Sequence, residues 1–186
     1  MDPNYFAAEE IVLEAVHNVE TGGNGDHIVN AIRAGHCQQQ GQRLYHEGKH
    51  LEALRQYEEA LDKLRGIPGT ECLRSLIYAY ILETYVVLGR YRDALALRDR
   101  AITGLEGDDR WSPCLAACCG NLGIAFASSG NLVDGIQYLE RALALYETIP
   151  NAAANTKQTS QNLEILRRKA QRPVQTSPWW KRLFGG

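Results

Sequence analysis

Few of the chain's reactive side chains have a spacing that chemistry uses. His46 to His50 reads HEGKH and fits the pattern HExxH letter for letter. That pattern works when both histidines stand four apart on one continuous helix, so that two imidazoles meet one zinc ion and the glutamate serves as general base. Here the third letter is Gly48, and glycine at that place predicts a helix break that sends the two rings in different directions. Cys114, Cys118 and Cys119 form a second grouping, but no second CxxC or nearby histidine completes a four-ligand set. They read as small core residues. GGNG at residues 22–25 lacks the following Lys-Ser/Thr and the preceding strand of a phosphate cradle. With no paired carboxylates, Ser-His arrangement or phosphate loop, the expectation is a non-catalytic protein without metal or cofactor, and a zinc-dependent hydrolase acting through HEGKH is the lesser alternative.

The elements that would position these residues are legible in Asn121 to Glu147. Leu122 and Phe126, then Leu132, Ile136, Leu139, Ala142, Leu143 and Tyr146, recur at three- and four-residue steps, which places them on one helical face. Gly130 interrupts that period. It predicts a left-handed helix end, with Asn131 as N-cap of the next helix. The pattern repeats: Gly48, Gly89 and Gly130 lie 41 residues apart, as do Ala53, Ala94 and Gly135, and again Ala60, Ala101 and Ala142.

The repeating pattern resembles the tetratricopeptide repeat. The third copy matches with Gly123, Phe126, Gly130, Leu132, Gly135, Leu139 and Ala142. The first matches with Gly41, Leu44, Gly48, His50, Ala53, Tyr57 and Ala60, and the second with Leu82, Tyr85, Gly89, Tyr91, Ala94 and Ala101. Arg98 departs from the pattern in the second copy's aromatic slot, which predicts that Leu97 turns inward instead. The period of 41 also exceeds the family's usual repeat of about 34; the longer period is similar to that of kinesin light chains and many bacterial arrays. The resemblance implies an all-α fold, a right-handed α-solenoid of antiparallel helix pairs, with three tetratricopeptide units at about 34–74, 75–115 and 116–156.

Around those units the sequence predicts an N-terminal capping helix and loop at 1–25 and a C-terminal capping helix at 157–172, followed by a basic, aromatic tail at 173–186. Asn162-Leu163 falls 41 residues after Asn121-Leu122, so the register continues into half a fourth copy. Asp2, Asp26, Thr70 and Ser112 are the expected N-caps of their helices, the last followed by Pro113. Trp111 either lids the core or faces a ligand.

The family's first helices line a concave face, so the resemblance implies a peptide groove. Its positions are Gln38, Gln42, Tyr45 and His46 in the first copy, and Ala79, Glu83, Val86 and Val87 in the second. The third supplies Gly120, Asn121, Ile124, Ala127 and Ser128. The lysines with which chaperone-tail binders of this family hold a peptide carboxylate are missing from these positions. The small floor residues Ala79, Gly120 and Ala127 either admit a helix or apolar segment or permit tight curvature.

Charge is unevenly placed. From Arg167 to the end lie six basic residues and no acidic ones, so a net charge of −2 leaves about −8 on residues 1–166. If the end of the tail turns helical, Trp179, Trp180, Leu183 and Phe184 share one side, with Lys181 and Arg182 on the other. Burying one such large side chain is worth roughly 1.5–3 kcal/mol. Three partners would satisfy the segment: an anionic membrane surface, a pocket on another protein, or an acidic face of its own array. An acidic body would repel nucleic acid. The start lacks a basic n-region, the most apolar run is too short to span a bilayer, and five cysteines fit no disulfide framework. The expectation is a cytoplasmic interaction adaptor, open to docking at a membrane's inner face and to self-association, or else an assembly factor or chaperone for a client protein.

Overall fold

A computed structural model of the protein describes His17 and residues 25–171. The predicted N-terminal capping helix and the tail, including Trp179, Trp180, Lys181, Arg182, Leu183 and Phe184, lie outside the described residues. Between short turns, the described residues are helical and hold no strand. In chain order the helices are α1 (Gly25–His46), α2 (His50–Lys63), α3 (Glu71–Val87), α4 (Tyr91–Ala96) and α5 (Arg98–Ile102). After a 3-10 turn at Asp109–Trp111 come α6 (Ser112–Ser128), α7 (Leu132–Thr148) and α8 (Ala153–Gln171). None is long and apolar enough to cross a membrane.

Three turns are built alike. Gly48, Gly89 and Gly130 have φ of 77°, 70° and 92°, a conformation that glycine adopts without a side-chain clash. At the first, the Gly48 N–H donates to Tyr45 O at 2.9 Å and the Lys49 N–H reaches back to Leu44 O at 2.9 Å. The same pair of bonds joins Gly89 to Val86 and Arg90 to Tyr85, and Gly130 to Ala127 and Asn131 to Phe126. This is the Schellman pattern, which satisfies the orphan carbonyls of a helix end and turns the chain sharply. The 41-residue spacing of the sequence is therefore a spacing of identical turns.

The caps were only partly foreseen. Asn131 accepts from the Asp134 N–H at 3.2 Å, as expected. Thr70 does not cap α3: its hydroxyl donates to Ile67 O at 2.7 Å. Ser112 is the first residue of α6, with Trp111 before it, because the 3-10 turn runs straight into the helix. The capping side chain there is Asp108, which accepts from the Arg110 N–H at 3.0 Å. Asp26 falls inside the first turn of α1. The helix after the third copy starts at Ala153, earlier than the sequence suggested. Trp111 is a core residue, with a relative exposure of 1%.

Helices pack chiefly on their chain neighbours: α1 on α2, α6 on α7 and α7 on α8, with α3 against α2, α4, α5 and α6. Small residues set the closest approach. A Cβ placed on Gly123 would lie 2.7 Å from Leu139 Cγ and 3.0 Å from the Gly135 carbonyl oxygen. One on Gly41 would strike the Tyr57 ring. In both copies a bulky side chain of the second helix thus fills a notch in the first. The second copy reverses the arrangement: Leu82 fills the space from the first helix and is fully buried, while Arg98 pairs with Asp99 at 2.8 Å. Its second helix is divided into α4 and α5 at Leu97, whose N–H donates to Ala94 O. Leu97 does turn toward the core and is half-buried against it.

These contacts set two neighbouring glycines apart. Gly123→Ala is expected to lower unfolding free energy by about 1–3 kcal/mol through overpacking. Gly120→Ala, whose Cβ would meet nothing within 4 Å, should instead raise it by up to about 1 kcal/mol through helix propensity. Urea denaturation of the two variants beside the parent chain reads both signs.

Candidate binding cleft

At the period of 41, Glu83 of α3 and Ile124 of α6 occupy one repeat position, and Asn121 of α6 and Asn162 of α8 another. The folded chain brings these four together. A cleft of about 360 Å³ is lined by Glu83, by Ala117, Gly120, Asn121 and Ile124 of α6, by Leu139 and Tyr146 of α7, and by Ala154, Asn155, Gln158, Thr159 and Asn162 of α8. Among the described residues the lining holds one charged residue, Glu83, and four primary amides. Gln158 Nε2 donates to Asn162 Oδ1 at 3.2 Å. Burial raises the pKa of the Tyr146 phenol, partly offset by a hydrogen bond with Asn155.

Glu83 is tied to the first copy as well. The Tyr45 hydroxyl donates to Glu83 Oε1 at 3.1 Å, and burial, then the Glu83 charge and this bond, raise the Tyr45 pKa strongly. Ala79 lies beside the cleft in a smaller space shared with Glu83 and Asn121. Of the expected groove residues, Glu83, Gly120, Asn121 and Ile124 thus share one cleft, with Tyr45 bonded to it and Ala79 adjoining. Val86 is not part of the lining; it packs partly buried on the core.

Gln38 and Gln42 are a correction. Their relative exposures are 0% and 8%, so they do not line an open face. Both Gln38 amide atoms and Gln42 Oε1 have no hydrogen-bond partner among the described residues. A first helix can carry polar residues on a side that its surroundings bury, and the repeat register cannot reveal this. The register did hold a signal for what was missed: Asn162 stands one period after Asn121. Reading α8 only as an end cap overlooked its Asn155, Gln158 and Asn162.

HEGKH is divided by the turn at Gly48, with His46 ending α1 and His50 opening α2. Both rings nevertheless share a neighbour. The Tyr45 ring lies 5.7 Å from His46 and 5.1 Å from His50 between centroids. Among the described residues no three His, Cys, Asp or Glu side chains gather as a metal site. Cys114, Cys118 and Cys119 are buried in α6 and form no disulfide. Burial raises the pKa of Cys118 and pushes Cys119 up to about 11.

Two outcomes follow for the thiols. Native protein at pH 8 should leave Cys118 and Cys119 unlabelled by a maleimide that labels them once urea is added, since the thiolate is the reactive form. Stability should also fall at high pH. An ordinary thiol titrates near 9.0 and folded Cys119 near about 11. The contribution of the neutral buried thiol is complete below pH 9.0 and is lost as pH rises toward 11. Thermal melts across that range check the sign. Compared with protein-family models and with curated proteins, the sequence matches none.

Proposed function

We propose that this chain is a non-catalytic adaptor of the tetratricopeptide kind: a right-handed α-solenoid of antiparallel helix pairs that holds a peptide or helix of a partner protein on its concave face. The observation that carries this reading is the convergence of first-helix positions of successive copies, Glu83, Asn121 and Ile124, with α8 on one open cleft. The three identical turns at a 41-residue spacing, together with the notched crossings at Gly41 and Gly123, support the repeat architecture. Carboxamides suit an extended peptide because each carries both donors and an acceptor for backbone groups. In this reading the basic, aromatic tail docks to a partner protein or to an anionic membrane surface, with the protein in the cytoplasm.

A second reading draws on the apolar space next to the cleft. About 250 Å³ is bounded by Ile124, Ala127 and Ser128 of α6, Leu139 of α7, and Asn162, Ile165 and Leu166 of α8. Ile165 is 61% exposed. Such a surface favours shielding an apolar segment of a client, as an assembly factor or chaperone would.

Gly120→Arg tests the adaptor directly. The position lines the cleft and has open space at its Cβ, so the variant should keep its helical circular dichroism while losing the proteins that the parent chain retains in affinity capture from its native cell. Retention of every partner would sink the reading. For the tail, a full-length Trp179→Ala/Trp180→Ala chain should float with phosphatidylserine vesicles much less than the parent. Equal flotation, or none by either, removes the membrane docking.

A further inference from the structure

We propose that the edge formed by the turns is a second docking surface: it receives an acidic segment of a partner protein, an aspartate or glutamate flanked by apolar side chains, with Arg92 as counterion. The inference goes beyond the adaptor reading, because the residues of this edge are not those of the cleft. It starts from two repeat positions. His46, Val87 and Ser128 stand 41 residues apart, as do Leu51, Arg92 and Val133. The first set ends the first helices and the second set opens the second helices, so the turns at Gly48, Gly89 and Gly130 hold them alike in each copy. All six are exposed. Single exposed apolar residues carry no meaning, but Leu51, Val87 and Val133 are three of the six large hydrophobics exposed among the described residues. Val87 and Val133 are 52% and 67% exposed.

The second observation is a hollow of about 470 Å³ at the second and third turns, bounded by Gly89, Arg90, Arg92 and Asp93 of the one and by Ser128 and Ser129 of the other. Arg90 Nε donates to Asp93 Oδ2 at 2.7 Å, and the guanidinium lies 4.4 Å from the centroid of the Tyr85 ring. That pair is neutral, and it fixes Arg90. Arg92 is exposed and has no ion pair among the described residues, so its charge is left over. The groups that can donate beside it are the other N–H groups of Arg90 and the Ser128 and Ser129 hydroxyls. A carboxylate matches this set, and it pairs with a guanidinium through two parallel hydrogen bonds. Val87 stands two residues before Gly89 and Val133 four after Ser129. Apolar side chains that flank the carboxylate therefore have apolar surface to cover, as in an interface of ordinary make-up.

The test is selection of a phage-displayed library of random short peptides on the full chain and on its Arg92→Gln, Arg92→Glu and Val87→Ser/Val133→Ser variants, each first checked for the parent's helical circular dichroism. The parent should enrich a set of peptides with aspartate or glutamate at one fixed position beside apolar residues. Arg92→Gln should lose that acidic preference, and Arg92→Glu should put lysine or arginine in its place. A synthetic peptide of the selected sequence should bind Arg92→Gln about fivefold more weakly than the parent, the upper end for an exposed ion pair. It should also bind the doubly substituted valine variant more weakly, and its affinity for the parent should fall as salt rises. Absence of an acidic set, or an acidic set that Arg92→Glu retains, overturns the inference. A parent chain that self-associates and becomes monomeric with Arg92→Glu, as read by analytical ultracentrifugation, overturns it in favour of a second copy. Peptides that survive all three changes belong to the cleft, so the adaptor reading stands or falls separately.

Discussion

The structure depends on how closely α6 and α7 approach. With the Gly135 carbonyl oxygen 3.0 Å from where a Cβ on Gly123 would stand, no side chain fits between the backbones. Leu139 then drops into the notch and is almost fully buried. That crossing fixes the rotation of α6 about its axis. At 100° per residue, Asn121 lies about 200° around the helix from Gly123. A helix whose Gly123 face is pressed onto α7 therefore turns Asn121 and Ala117 away from that partner, toward α3 and α8. The cleft follows from the crossing.

The same logic accounts for the second copy. Where the first helix carries Leu82 in place of a glycine, no notch exists to receive a bulky neighbour. The facing residue is Arg98, paired with Asp99. The helix that would have run along this face is divided at Leu97, and Cys72 and Ser75 of α3 bond the backbone beyond it: Cys72 Sγ donates to Gly104 O at 3.0 Å and Ser75 Oγ to Arg100 O at 2.8 Å. Polar anchors thus hold the segment where the other copies use a buried side chain. Gly104 is required for that approach, since a Cβ there would lie 2.6 Å from Ser75 Oγ.

What could be read from sequence follows from whether its cause is local. A left-handed residue is a property of one position, so Gly48, Gly89 and Gly130 announced their turns, and the break within HEGKH came with them. Caps are less local, because a hydroxyl chooses among nearby acceptors once the preceding loop is placed. Thr70 found the Ile67 carbonyl, and Asp108 served the turn before Ser112. Burial is least local of all. Gln38, Ala79 and Gly120 share one repeat position, but Gln38 is fully buried, Ala79 nearly so, and Gly120 lines a cleft. Their register is the same and their surroundings differ. Part of the cleft was hidden for another reason: its residues on α8 lie in a helix whose sequence suggests an end cap, although Asn162 stands one period after Asn121.

Glu83 shows how one side chain can join two copies of such an array. A carboxylate drawn partly out of water loses hydration, and a hydrogen bond from a half-buried phenol offsets part of that cost. The donor, Tyr45, comes from another copy, so a bond that offsets part of this cost also joins α1 to α3. Removing the charge and removing the bond are therefore distinct operations. Glutamine at Glu83 keeps an acceptor for Tyr45 and removes the charge, whereas phenylalanine at Tyr45 keeps the charge and removes the bond between α1 and α3.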